Sequence, residues 1–453
     1  MRSKTASWMM LRYLPGLLLC LTRALTLQAQ PVSLTLAEAV QRGLQTHPDL
    51  AAAKAAVAAA QARIGQARAA FQPRLQFSAG YQRLSEITPF AIPMPLPGAE
   101  PIEITPNIPN QYQLQLSLQQ PLFQGGRLRA QLETARQEAA AAVAEQHARR
   151  EALAYRIATA YWQHVEAEAL ARAAEENVRR LEAHLEDARN RQAQGLLLES
   201  EVLDVEVALE QARLEALRQR QTAQLTAIML SSLVGLPPDT PLALSDRPDT
   251  AARPVPPLDS LRALALRRRP DLAALRHTIA RADALRSMAR AGWWPQVALV
   301  GRYLYARPNP RLIPLQDRFE GTWEVGLSLT LDLWNGLRTH HQVAEATALR
   351  RRAEAQEAAT LRALELELAQ ARLGVEQAYE RLRLARLVVR QAEARYALVR
   401  DQFAQGLRTS RDLLDAETAL AQARAREIQA RTACALAWLA LEQATGTLTE
   451  HLP

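Results

Sequence analysis

Along this chain the spacing of apolar residues switches between two periods. Over residues 74–84, Leu75, Phe77, Ala79 and Tyr81 alternate with Gln76, Ser78, Gly80 and Gln82. Strict period two predicts a strand with one apolar and one polar face. The same alternation returns over 111–120, where Leu114, Leu116 and Leu118 oppose Gln113, Gln115, Ser117 and Gln119, and over 322–331, where Trp323, Val325, Leu327 and Leu329 oppose Glu324, Gly326, Ser328 and Thr330. A fourth strand, 296–305, alternates less cleanly. Elsewhere the period is helical. No glycine or proline occurs between Gly126 and Gly195, which predicts a helix over 127–193, roughly 100 Å long at 1.5 Å per residue. A second long helix over 338–404 tolerates Gly374. Each is followed by an antiparallel return, over 198–233 and 409–445, closed by Gly235 and Gly446. Val178, Leu181 and Leu185 keep coiled-coil spacing. Thr35 and Glu38 form a capping box ahead of a short helix, Pro48 suits the first turn of the next, and Pro73 ends that one.

These elements occur twice. His47–Leu50 (HPDL) returns as Arg269–Leu272 (RPDL), and Pro73 as Pro295, at an offset of 222. From Leu116 (LSLQQPLFQGGR) and Leu327 (LSLTLDLWNGLR) onward the offset is 211: Gly125 answers Gly336, Gly195 answers Gly406, Asp204 answers Asp415. The copies therefore differ by eleven residues in one loop, 85–111, and hold register elsewhere. The chain divides into a first repeat over 30–235, a Pro-rich linker over 236–257 that cannot be helical throughout, and a second repeat over 258–453.

Composition narrows this further. Aromatic residues make up 5% of the 453, which favours thin helical packing over one thick core. The formal charge of +8 includes Arg2, Lys4, Arg12 and Arg23 in the first 29 residues, leaving +4 on the remainder. There arginine is interspersed with glutamate along helices, a solvated surface and not the one-sided basic patch that nucleic acid requires. Residues 1–29 read as a secretory signal, with basic residues ahead of an apolar run and Ala29 as the cleavage position. A rival reading makes Cys20 a lipid-bearing cysteine, although Leu19 before it is larger than such sites prefer. After cleavage only Cys434 is left, so no intrachain disulfide is expected. No nucleotide-binding, zinc-protease or serine-hydrolase motif occurs. His340 and His341 are adjacent, point to different helix faces and make a poor metal pair. No catalytic residue, cofactor or metal ligand is expected, and the chain does not read as an enzyme.

Four strands with polar faces do not make an ordinary buried sheet, and their apolar faces would be exposed in water. Apolar outside and polar inside is what a barrel wall in lipid demands, with every backbone group paired around a closed ring. Four strands are too few to close a membrane barrel, so chains must pool them. Tyr81, Tyr303, Trp293, Trp294 and Trp323 near strand ends favour the lipid reading. The rival is an antiparallel sheet packed on the helices of a soluble protein.

Taken in order, the paired PDL helix starts, the QP and WP strand entries, the LFQGG and LWNG strand exits and the QGL helix tips resemble the TolC-type outer-membrane efflux channels, over residues 34–448. The resemblance implies a mainly α fold with a β-barrel section. Its duplicated subunit would assemble as a homotrimer that gives four strands per chain to one barrel in outer-membrane lipid and encloses a tapering helical tunnel across the periplasm. It implies a passive conduit working with a periplasmic adaptor (membrane fusion protein) and an inner-membrane pump or exporter, for small compounds or for a protein. It makes Gly195-Leu196 and Gly406-Leu407 the adaptor-docking tips. Asp412 and Asp415 match two aspartates that ring the closed entrance; at i, i+3 they share one helix face, and mutual repulsion in a ring of six is expected to raise their pKa values. Arg408 matches an arginine that ties the second tip to the first, and Ser200 and Glu201 match its partners. Glu201 replaces the family's aspartate, and Phe403 stands where a tyrosine hydroxyl would contribute. The competing assignment from another class is a periplasmic coiled-coil scaffold without a pore.

Overall fold

The computed structural model describes residues 32–88, 90–92, 98, 102–251 and 253–451. The signal segment 1–29 with Cys20, and part of the loop 85–111, lie outside the described residues.

The chain forms two compact units. The first holds residues up to Ala51 together with Ala148–Arg269 and Leu364 onward; the second holds Ala52–His147 and Pro270–Ala363. In the first unit, β1 (Val32–Leu34) pairs in parallel with β6 (Leu242–Leu244), Val32 facing Leu242. The chain then enters α1 (Leu36–Thr46) through the expected capping box, in which Glu38 N–H donates to Thr35 Oγ1 at 3.2 Å and Thr35 N–H to Glu38 Oε2 at 2.8 Å. Asp246, from the linker after β6, takes a further orphan donor, Leu36 N–H, at 2.6 Å. The buried face of α1, Ala39 and Val40, packs against Leu153, Ile157 and Tyr161 of α3 (Arg127–Ala193) and Leu230 of α4 (Glu199–Leu233). Gly43 lets α1 approach closely, since a Cβ there would fall inside the Ile157 side chain. The Tyr161 hydroxyl donates to Leu34 O at 3.1 Å, and burial pushes its phenol up to about 12.

Two helical hairpins continue from this core: α3 with α4, and α7 (Arg338–Ala404) with α8 (Ser410–Thr445). Leu181, Leu185 and Ala188 of α3 interlock with Val202, Val205 and Leu209 of α4, with Val178 alongside, a coiled-coil seam. In the second hairpin Val389 and Ala392 meet Leu420 and Ala423.

The second unit carries a four-stranded antiparallel sheet in the order β2 (Arg74–Arg83), β5 (Asn110–Gln124), β7 (Gln296–Arg307), β8 (Glu320–Thr330). Register places the alternating apolar residues of β2, β5 and β8 on one face, together with Val297, Leu299, Tyr303 and Tyr305 of β7. Leu75 faces Leu118, then Gly301 and Val325; Phe77 faces Leu116, then Tyr303 and Trp323. Leu75, Phe77, Trp323, Val325 and Leu327 are each more than 60% exposed, so apart from Phe319 against Tyr112 and Tyr305 the face is largely bare among the described residues. The other face carries the Gln76–Ser117–Arg302–Glu324 row and its neighbours. Strands β2 and β8 each have a single partner strand among the described residues. A short hairpin, β3 (Phe90–Ile92) with β4 (Ile102–Thr105), lies in the loop between β2 and β5.

Two further strands of three residues, β1 and β6, lay below the reach of the period-two pattern. The uneven alternation of β7 has a cause. Leu304 and Ala306 point to the polar face yet are buried, because the β7–β8 connection folds over them: Asn309, fully buried, donates to Glu320 O at 2.9 Å and to Thr322 Oγ1 at 3.2 Å.

Candidate functional site at the hairpin tips

Both hairpins turn by the same backbone device. Gly195 (φ 72°) and Gly406 (φ 75°) adopt the left-handed conformation just past the ends of α3 and α7. Gly195 N–H donates to Gln192 O and Leu196 N–H to Arg191 O; Gly406 N–H donates to Phe403 O and Leu407 N–H to Gln402 O, each at 2.9–3.0 Å. This is the Schellman pairing, which satisfies the last helical carbonyls and needs a residue that accepts positive φ. It leaves Leu196 and Leu407 at the apex of each turn, 68% and 70% exposed.

The return helices begin differently. Thr409 caps α8: Asp412 N–H donates to Thr409 Oγ1 and Thr409 N–H to Asp412 Oδ2, both at 3.2 Å. In α4 the cap residue is Leu198, which has no side-chain acceptor, and only Glu201 Oε2 closes the turn by accepting Leu198 N–H at 3.3 Å. Asp412 and Asp415 lie on one side of α8, half-buried and exposed, while Leu413 and Ala416, each the next residue along, are buried. The Thr409 backbone and hydroxyl hold the Asp412 carboxyl below its ordinary range, with Arg408 adding to the effect. Within one subunit the cap sets this direction, and the repulsion expected of a ring of six needs further chains.

Arg408 does not join the tips inside the subunit. Its guanidinium donates to Gln402 Oε1 at 3.2 Å and lies 3.8 Å from Asp412 Oδ1. Ser200 is exposed and its hydroxyl makes no hydrogen bond among the described residues, and Glu201 is occupied by its own helix start. The arginine that bridges the tips is Arg191, near the end of α3. It donates to Phe403 O at 3.1 Å and Ala404 O at 3.4 Å, the terminal carbonyls of α7, and its guanidinium carbon stands 4.5 Å over the Phe403 ring. A cation on the negative end of a helix and over an aromatic face is favourable on both counts. Phe403 is accordingly a buried anchor, packed with Val399, Leu413, Ala416 and, from the first tip, Leu197.

One turn further from the tips lies a polar contact that the sequence did not mark. His184 of α3 and Glu417 of α8 are both buried, with Nδ1 2.9 Å from Glu417 Oε2 and Nε2 3.2 Å from Ser410 Oγ. The carboxylate can only accept, so Nδ1 carries the proton and a neutral ring leaves Nε2 to accept the Ser410 hydroxyl. The Phe403 ring sits edge-on at 5.6 Å. His184 reads in sequence as one more polar position on a charged helix, and its partner is 233 residues away.

His340 and His341 are exposed, their rings 5.5 Å apart. Among the described residues no group of histidine, cysteine, aspartate and glutamate could hold a metal ion, and no helix is long and apolar enough to cross a membrane.

The family model described as outer membrane efflux protein matches residues 39–236 and 261–447. Among solved structures, the outer membrane protein VceC of Vibrio cholerae is similar at 25% identity and a TM-score of 0.77, over 91% of this chain and 96% of that one. The outer-membrane channel OprN matches at 22% identity and 0.76, over 91% and 90%. The CmeC outer membrane channel of Campylobacter jejuni matches at 17% and 0.77, over 91% and 85%. No curated protein sequence matches.

Proposed function

The chain belongs to the outer membrane efflux protein family, and from that premise we propose that it is the passive outer-membrane conduit of a tripartite efflux or type I secretion system. Three copies pool their sheets into one twelve-stranded barrel, and the helical hairpins line the periplasmic tunnel. The observation that carries this reading is the sheet: one face apolar and largely bare, the other polar, and both edge strands lacking an outer partner among the described residues. Unpaired edge groups cost several kcal/mol each in hydrocarbon, so β8 of one subunit must pair with β2 of the next. Exposed stripes on the helices supply the rest of the subunit contact: Leu203, Val207 and Leu214 on α4, and Leu366, Leu373 and Leu384 on α7.

In this reading the exposed Gly195-Leu196 and Gly406-Leu407 turns meet the periplasmic adaptor, and an inner-membrane pump or exporter supplies the energy. Asp412 and Asp415 from three subunits ring the entrance, with Arg408 exchanging Gln402 and Asp412 for Ser200 and Glu201 of a neighbouring subunit. No chemistry on the cargo is required of a duct.

Extraction from membranes in detergent, the mass of the extracted particle and conductance in a planar bilayer test the proposal together. A trimeric mass with stepwise conductance is expected. A monomer soluble in plain buffer, with no conductance, would favour the pore-free scaffold and remove the channel reading.

A further inference from the structure

The polar face of the sheet is not evenly charged. In the row Gln76–Ser117–Arg302–Glu324, Arg302 Nε lies 2.7 Å from Glu324 Oε1. A second arginine reaches the same carboxylate from the β7–β8 connection: Arg311 donates to Trp323 O at 3.1 Å and stands 3.5 Å from Glu324 Oε2. Asn309 pins that connection in place and accepts Arg311 N–H at 3.0 Å. The other acid of this face, Glu320, is matched by Arg318 at 2.9 Å. One row away, Arg74 is exposed and makes no ion pair among the described residues. Arg74, Gln76, Gln119, Arg302 and Glu324 line one open depression of about 530 Å³, widened where Gly326 has no side chain. Four guanidinium groups thus answer two carboxylates, and both acids are already engaged.

We propose that this depression is an anion station. Arg74, with Arg302 beside it, sets a preference for solutes that carry a carboxylate or a comparable anionic group. The inference rests on the reading that the polar face lines a water-filled barrel. Guanidinium presents paired donors that match a carboxylate. Glu324, shared by two arginines, has little charge left with which to hold a cation. Repeated in three subunits around one lumen, a surplus of fixed positive charge raises the local anion concentration.

The test is the reversal potential of single channels in a potassium chloride gradient, for the wild type, Arg74→Gln and Arg74→Glu. Arg74 has no partner to lose, so neither variant threatens the fold. The chloride-to-potassium permeability ratio is expected to fall by roughly twofold in Arg74→Gln and further in Arg74→Glu. Both differences are expected to shrink near about 1 M salt, where the screening length is about 3 Å. The same series in an Asp412→Ala, Asp415→Ala background separates this effect from the acids at the tip. Conductance with a ratio unmoved by either substitution overturns the anion station alone. Absence of conductance from the wild type overturns the pore reading and the station with it.

Discussion

His184 and Glu417 offer the sharpest test of how the tips are held together. Their side chains are 1% and 3% exposed, so neither can turn to water when the other is removed. His184→Leu leaves a carboxylate buried without its donor, and an unsatisfied buried group that carries charge costs about 3 kcal/mol or more. Glu417→Leu leaves a ring that can stay neutral with Ser410, so its cost is lower, about 1–3 kcal/mol for an unmade hydrogen bond. Replacing both with leucine gives an apolar contact of similar volume, which is commonly near neutral. The double variant is thus expected to lie well below the sum of the singles, with a coupling of at least about 3 kcal/mol. That is on the order of a hundredfold in the local opening constant. Amide hydrogen exchange on the membrane-reconstituted protein reads this locally, in peptides covering 180–206 and 396–420, where a global melting temperature would average over the whole assembly. Strictly additive costs, or single variants that exchange like the wild type, would refute the claim that this contact fastens the second hairpin to the first.

Other outcomes follow from the same geometry. Asp412→Ala with Asp415→Ala is expected to weaken block of single-channel current by multivalent cations; unchanged block removes both from the throat. Gly43→Ala drives a methyl into Ile157 and to 3.0 Å from the Leu233 carbonyl oxygen, an overpacking cost of about 1–3 kcal/mol that exceeds the gain in helix propensity of about 1. Denaturant unfolding measures it, and a stabilised variant would contradict the packing described. Burial lowers the His164 pKa in the folded chain, against a smaller opposing pull from Glu168. The unfolded ring takes its proton as pH falls through about 6.5, so the α3–α4 pairing is expected to lose stability below that pH. His164→Gln should flatten the dependence, and an identical pH profile in wild type and variant would dismiss it.

What the sequence disclosed was whatever its own periods encode. Leu75, Phe77, Leu116 and Val325 alternate because one face of their sheet is apolar throughout. Gly195 and Gly406 announce turns because only a residue tolerant of positive φ ends a helix that way. Val178, Leu181 and Leu185 show a seam because a seam repeats. The tip network was less visible because its residues repeat nothing. Arg191 sits four residues after Asp187 and pairs with it, so it reads as an ordinary surface pair, yet the same guanidinium reaches the end of the other hairpin. Resemblance drew attention to Arg408 instead, whose partners in the subunit are local. Leu304 and Ala306 blurred an alternation that the rest of the sheet keeps, and the Asn309 connection that covers them carries no periodic signal.

The bare rims of β2 and β8 bear on how such a subunit comes to exist at all. Among the described residues each presents a row of unsatisfied donors and acceptors to whatever strand arrives first, and in the proposed assembly only an identical neighbour arriving in register closes the ring. A newly made chain is therefore in a race in which the right encounter ends in a sealed cylinder and any other grows a ribbon. Yield should depend on how densely chains are delivered to one patch of lipid more than on how stable each chain is alone.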